Sequence, residues 1–425
     1  MTTRSIMLAL CGLPGFASAD GEDLRWNGFI NVVGGMLRET PYTATDDGSG
    51  PSGYRGYEDS VSLDRQTSAG LQATRPLDET LSVTAQVYAE GRTENYAANL
   101  RWLYLTWQPD AHQQLRIGRI GEPVYYYSDF IQVGYTYDWV SPPLDIYVYD
   151  PTIAGAAWQY QGVWRDWEWS TEVFGGTSDE YHATIDAQAT TRNARGIILS
   201  ASTGGWLSLR AMYLRQNTDF VIEALQPEPL IDGAFEVAVE RGQLTQTVAN
   251  AVKPLAAPVM SDYLAEAFAL QTEAHYTQAA ARADFGTWWA MVEWAELYTG
   301  DYLQNLQEAW YVACGYRIRD ITLHLTYSEY RQPLSDQARA DAAAVPASSS
   351  IADQSLWLAR LTAGNAASLY AGDWYTHIAG ITWYAGNNTA WKFEITHFEK
   401  SSALPTETPG TGSNLLVNVG VSAAF

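Results

Sequence analysis

Read for alternation, the chain breaks into stretches of roughly ten residues in which every second position is apolar. The last stretch shows it plainly. Leu415, Val417, Val419, Val421, Ala423 and Phe425 fall on one strand face, and Asn418, Gly420, Ser422 and Ala424 on the other. Leu81, Val83, Ala85, Val87 and Ala89 alternate with Ser82, Thr84, Gln86, Tyr88 and Glu90 in the same way. So do Ile321, Leu323, Leu325 and Tyr327 with Thr322, His324, Thr326 and Ser328. Sixteen such stretches begin near Leu24, Val61, Thr80, Ala98, Gln114, Ile153, Trp167, Ala194, Trp206, Tyr263, Asp284, Ala309, Ile321, Gly372, Thr389 and Asn414. Strands greasy on one side and small or polar on the other fit a membrane-spanning barrel, with lipid outside and water inside.

The connections alternate between short and long. Tight turns are expected at Pro76 to Glu79, Pro109 to Gln113, Arg165-Asp166, Gly204-Gly205, Ala279 to Ala283, Arg319-Asp320 and Gly386 to Asn388. Between them lie loops 39–60, 92–97, 120–152, 176–193, 216–262, 298–308, 332–371 and 400–413. Seven turns and eight loops suit a 16-stranded antiparallel transmembrane β-barrel, all-β, with both termini on the short-turn side. Tryptophans near strand ends (26, 102, 107, 164, 167, 206, 294, 310, 383 and 391) read as an interfacial girdle. Within loop 216–262, the run Gly233 to Val252 has helical spacing, and loop 332–371 has a helical piece around Leu356 to Leu361.

The N-terminus adds an address. Arg4, an apolar run from Ile6 to Phe16, and Ala17-Ser18-Ala19 read as a signal peptide over residues 1–19, leaving 20–425 as the barrel. Processing removes Cys11 and leaves Cys314 as the one cysteine, so no disulfide or cysteine metal cluster is expected. The net charge of −23 makes nucleic acid and anionic headgroups poor partners. Tyr (27) and Trp (17) outnumber Phe (11), a bias toward rings that suit a membrane interface or a sugar-binding surface.

One segment carries a resemblance. Leu115-Arg116-Ile117-Gly118-Arg119, the loop 120–152 with acids Glu122, Asp129, Asp138, Asp145 and Asp150, and then Gly155-Ala156-Ala157-Trp158-Gln159-Tyr160 resemble the fifth strand and third loop of Gram-negative general porins. The terminal Phe425 agrees with that family. The resemblance implies a third loop folded into the pore, a homotrimer in the outer membrane, and wall arginines facing loop acids. Ser141-Pro142-Pro143-Leu144-Asp145 stands where the family's Pro-Glu-Phe-Gly-Gly tip is expected, and Thr152-Ile153-Ala154 lacks a second wall arginine.

Strand phase gives its own list for the constriction. Arg210, Arg317, Lys392 and Glu394 fall opposite apolar neighbours and point inward. Alternation favours Arg116 inside and groups Arg119 with Leu115 and Ile117, whereas the family match favours Arg119; Arg101 shares its face with Leu103 and Leu105. Opposed guanidinium and carboxylate groups would set up a transverse field favouring polar solutes. The loop tyrosines 125, 126, 127, 135, 137, 147 and 149, with Trp139, either stack on sugar rings or aromatic acids or pack the loop to the wall. His275 and His324 are the histidines read as facing the lumen.

The resulting expectation is a passive outer-membrane porin for small hydrophilic solutes and ions, surrounded by outer-membrane lipids, with no cofactor and no nucleic-acid partner. A channel selective for sugars or small organic acids is the nearer alternative, and a secreted soluble carbohydrate-binding protein the more distant one. No nucleophile elbow, zinc-protease helix or phosphate loop is present, so an enzyme is not expected.

Overall fold

The computed structural model describes residues 24–39, 57, 59–91, 96–147, 152–182, 187–303, 305–345, 350–386, 388–401 and 412–425. The expected signal peptide, residues 1–19, lies outside them, as do Tyr149 and Asp150 of the third loop.

Among the described residues sixteen strands form. β1 (Arg25–Glu39), β2 (Ser68–Pro76), β3 (Leu81–Glu90), β4 (Asn99–Trp107) and β5 (Gln113–Gly121) precede the third loop. β6 (Thr152–Trp164), β7 (Trp167–His182), β8 (Ala187–Thr203), β9 (Leu207–Ile222), β10 (Leu270–Asp284) and β11 (Trp288–Tyr298) follow it. β12 (Leu306–Ile318), β13 (Ile321–Gln332), β14 (Gly372–Tyr384), β15 (Thr389–Ser401) and β16 (Gly412–Ala424) complete the wall. Each strand pairs antiparallel with its neighbours in sequence, and β16 pairs with β1, so the barrel is closed. The closing register sets Phe29 against Ala424 and Val33 against Gly420. Beyond it, Phe425 and Gly28 exchange backbone hydrogen bonds of 2.7 and 2.9 Å. Closure leaves no sheet edge, which a spanning sheet in hydrocarbon requires.

Alternation decides the two faces. On β15, Trp391, Phe393 and Ile395 are exposed while Lys392, Glu394 and Thr396 are buried; on β13, Leu323 and Leu325 are exposed while Thr322, His324, Thr326 and Ser328 are buried. An apolar outer band of this extent would drive association in water, so the soluble-protein alternative does not suit the fold. At the short-turn end Trp26, Trp107, Trp164, Trp206, Trp383 and Trp391 are exposed, joined by Trp288. Trp294 and Trp310 face each other across β11 and β12, and Trp167 is half-buried opposite Trp164. Trp102 departs from the girdle: it alternates with the exposed Leu103 and packs over Gly121 inside.

Several boundaries differ from the sequence pattern, each for a local reason. The second strand starts at Ser68 rather than near Val61, because the preceding segment is a bend held by one bridge, Gly35 to Ser62. The eighth starts at Ala187, seven residues before Ala194. The turn expected at Ala279 to Ala283 lies instead at residues 285–287, where Gly286 takes φ 80°, a conformation that suits glycine. The alanines stay in β10, with Ala280 buried on its inner face.

Strand length is uneven. β2 to β5 have 9 or 10 residues and β7 to β10 have 15 to 17, a difference of about 20 Å at ~3.3 Å per residue. The two longest loops fold into helices. The helical run expected at Gly233 to Val252 is two helices, α1 (Pro227–Glu240) and α2 (Gln246–Ala267), split by Gly242 at φ 68° and restarted by the Thr245 cap on Val248 N–H. Because α2 runs to Ala267, β10 begins at Leu270 rather than Tyr263. α3 (Asp336–Ala342) and α4 (Ile351–Tyr370) come from the other loop, α4 capped by Ser350. The four helices share a core of Ile231, Phe235, Met260, Leu264, Ala338 and Ala363 that is rooted on Ile222, Leu303 and Leu334 at the barrel rim. Buried Asp341 of α3 ties α2 and α4 to it, accepting from the Tyr263 and Tyr302 hydroxyls and from Arg360 Nε at 2.7 Å.

Candidate functional site: the third loop and the lumen

The third loop turns into the barrel. Just before it, Gly118 bends β5 at φ 140°, a backbone conformation that side-chain-bearing residues rarely adopt. From Glu122 to Tyr147 the chain carries a single short helical turn, Gly134–Thr136. The loop's apolar side is aromatic. Tyr125, Tyr127, Tyr137, Trp139 and Tyr147 share one buried cluster with Met212, Tyr276, Trp289, Met291 and Tyr311 of β9 to β12. Trp139 meets Trp289 edge-on at 5.4 Å and Tyr311 at 6.1 Å, contacts worth about 0.5 to 1.5 kcal/mol each beyond area burial. These rings pack the loop to the wall. Tyr126 and Tyr135 are half-buried, Tyr135 lying edge-on to Tyr384 at 5.6 Å.

An irregular backbone inside a barrel has no strand to pair with, so wall side chains must satisfy it. Lys392 does so at three loop carbonyls and Glu293 at one loop N–H. Lys392, buried on β15, donates from Nζ to the carbonyls of Gly134 (2.6 Å), Tyr137 (2.9 Å) and Trp139, with Nζ 4.5 Å from the centre of the Tyr137 ring. Glu293, fully buried on β11, accepts from Tyr126 N–H (2.8 Å), Gln278 Nε2 (2.8 Å), and the hydroxyls of Tyr147 (2.5 Å) and Tyr311 (3.0 Å). Others extend the seam: Glu394 accepts from Val140 N–H at 3.1 Å, Asn31 donates to Gln132 O at 2.8 Å, and Trp139 Nε1 donates to Thr326 at 2.8 Å. At the loop's far end Gly134 sits so tightly on Asn31 and Ser422 that a Cβ would collide with both. The loop therefore crosses the lumen from β9–β12 to β15, β16 and β1.

The ten residues read from the sequence are placed as follows. Arg116, Arg210, Arg317 and Lys392 point inward. Arg116 binds both oxygens of Glu172 on β7 at 2.9 and 3.0 Å, within electrostatic reach of the exposed Asp129. Arg210 donates to Gln278 at 2.6 Å and to the loop carbonyl of Pro123. Arg317 lies at the short-turn end, bound to both oxygens of Asp284 at 2.6 and 2.8 Å and to Gly286 O at 2.9 Å. Arg119 follows the alternation rather than the family match: it shares the exposed face with Ile117 and Leu103, its guanidinium 3.6 Å from Glu180. Arg101 occupies the bulge between the Gln86–Trp102 and Val87–Leu100 pairs, which is why its phase was ambiguous.

The loop acids are mostly turned to the wall. Asp138 accepts from the Tyr384 hydroxyl at 2.9 Å and Asp145 from Ser328. Glu122 is buried, which pushes its carboxyl up to about 8, with nearby Glu180 adding to the shift. His324 is buried inside, whereas His275 lies on the outer face beside Tyr213, its ring nitrogen 2.7 Å from the hydroxyl. Glu293, Glu172 and Arg282, which donates to the Tyr127 hydroxyl at 2.7 Å, were not singled out from the sequence. A usable signal existed for Glu293, since a strand with Val292 and Trp294 outside puts it inside.

Solved structures share this architecture. The outer membrane channel DcaP of Acinetobacter baumannii matches at 12% identity over 97% of this chain and 100% of its own, with a TM-score of 0.54. Salmonella typhi OmpF, in complex with daunomycin, matches at 13% over 96% and 98%, TM-score 0.52. An anion-selective porin from Comamonas acidovorans matches at 11% over 95% and 100%, TM-score 0.51. At such identities the likeness is one of fold. No protein-family model and no curated protein sequence matches the chain.

Proposed function

We propose that this chain is a porin of a Gram-negative outer membrane, a passive diffusion channel for small hydrophilic solutes and ions, without enzymatic activity. The single observation that carries the reading is the third loop clamped inside a closed sixteen-stranded barrel by Lys392 and Glu293. Sixteen strands enclose more lumen than side chains alone fill, and a loop folded inward is a way to narrow such a lumen. The likeness to DcaP, OmpF and the Comamonas porin supports the same reading. In this orientation the short turns face the periplasm, and the helices α1 to α4 stand outside. Residues 1–19 serve as the signal peptide, and the barrel assembles as a homotrimer, the form recorded for OmpT of Vibrio cholerae.

The test is a planar bilayer. Detergent-purified protein should insert and give discrete conductance steps in KCl; a protein that stays soluble without detergent, or inserts and remains silent, would refute the proposal. Cross-linking before electrophoresis should give a three-chain band, and a single-chain band would remove the trimer from it.

A further inference from the structure

We infer that the outer wall of β8 to β10 carries a binding site for the phosphate of an outer-leaflet lipid headgroup, with Arg195 as its main ligand and Arg215 beside it. This rests on the outer-membrane reading, which sets the end away from the short turns in the outer leaflet, and not on what the lumen conducts.

Alternation puts Arg195, Ile197 and Leu199 on the exposed face of β8, and Leu209 and Tyr213 on that of β9. The register sets Ile197 against Tyr213 and Arg195 against Arg215. Two guanidinium groups therefore stand side by side just beyond the apolar band, on the side away from the turn at Gly204-Gly205. His275 of β10 continues the row opposite Arg215. On the other flank Arg195 is paired with Gly175 of β7, which has no side chain to cover it.

Like charges directly opposite each other destabilise a strand pair, and an unpaired cation against lipid is costly. Most of the charge here is already matched. Arg215 is bound to Glu273, which also lies 3.1 Å from His275 Nε2. Arg192 reaches Asp219 at 3.0 Å, and Asp179 accepts from Gln188 and, at 3.2 Å, from Thr190. Arg195 is the exception: it is exposed, and among the described residues no ion pair or side-chain hydrogen bond engages it.

An unspent guanidinium beside a second one is a place for an anion that the chain itself does not supply. Phosphate fits, because the planar fork of arginine donates two parallel bonds to its oxygens. The acyl chains of a lipid would run over Ile197, Leu199 and Leu209 below, a contact that a free ion lacks. The net charge of −23 disfavours anionic headgroups over the surface as a whole, and this cluster is the local exception.

The experiment reads lipid retained by the detergent-purified full chain in native mass spectrometry. The probe is lipid A, a bisphosphorylated acylated disaccharide, compared with the same lipid stripped of its phosphates. The native chain should hold the phosphorylated form at least about tenfold more tightly, a comparison that needs no variant. Arg195→Gln should weaken that binding about tenfold, the scale of one charge-assisted pair. Arg331→Gln, at an exposed arginine already bound to Glu329, should bind as the native chain does. Both variants should keep native heat-modifiable mobility and native conductance steps, which separates lost binding from misfolding. Equal retention of the two lipids, or equal binding by native and Arg195→Gln chains, overturns the inference. Displacement of lipid A by millimolar inorganic phosphate would assign the site to a free ion and overturn the lipid assignment. Loss of the three-chain cross-linked band in Arg195→Gln would place this face between copies and overturn it as well. Each of these leaves the channel reading standing, since conductance tests that separately.

Discussion

Replacing Lys392 by Met keeps most of the side-chain volume on β15 and removes the ammonium that holds the third loop. The native group makes three bonds to loop carbonyls, two of them 2.6 and 2.9 Å long, from a buried position. Charge-assisted bonds contribute about 1.5 to 3 kcal/mol each when lost singly. The three share one donor and lumen water can rehydrate the carbonyls, so the sum is not additive, and about 3 kcal/mol is a reasonable net loss of loop seating. That shifts the released-to-seated ratio by more than about 100-fold. In single-channel recordings the variant should show larger or flickering steps, and limited proteolysis should cut within residues 122–147 while the native loop resists. A variant with native heat-modifiable mobility, native conductance and an uncut loop would refute the clamp.

Four further outcomes follow from the same contacts. Glu293→Gln should loosen the opposite side of the loop, because an amide nitrogen facing the Tyr147 and Tyr311 hydroxyls cannot accept their protons; single-channel noise should rise, less than for Lys392→Met. Gly286→Ala should destabilise the β10–β11 turn by about 1 kcal/mol through its positive φ, read as a lower refolding yield with unchanged conductance. Asp341→Ala should free the helical cap to proteases without unfolding the barrel, since it strands the Tyr302 hydroxyl and Arg360. For Glu122, a carboxyl raised from its ordinary value to about 8 is fully tolerated below its unfolded value and increasingly opposed as pH climbs toward the raised one. Loop seating should therefore weaken from mildly acidic pH to about 8, and Glu122→Gln should flatten that dependence in loop proteolysis.

Strand number and strand phase were legible because a barrel wall has two solvents, and each residue of β13 or β15 must choose one. Boundaries were less legible where helix and strand patterns overlap. Tyr263 could begin a strand by alternation, yet it belongs to α2, whose buried Met260 and Leu264 face the other helices. Ala279 to Ala283 resembled a turn by composition, but the positive φ at Gly286 fixes the reversal. The site was legible in part. Arg210, Arg317, Lys392 and Glu394 were placed on the correct face by phase, while Arg101 lay at a bulge that no period-2 reading anticipates. What alternation cannot supply is the partner: that Arg116 would spend its charge on Glu172, or that Glu293 would meet four donors, depends on the curvature of the wall and the path of the loop.

The central claim, a water-filled path beside the clamped loop, is tested most directly by thiol accessibility during conductance recording. In a Cys314→Ser background, Asp129→Cys should let a bulky water-soluble thiol reagent lower each conductance step, because Asp129 is exposed beside the inward Arg116–Glu172 pair. Leu325→Cys, on the outer face where the native leucine is 60% exposed, should give no change. Steps unaffected by modification at position 129, or altered equally from position 325, would contradict the account.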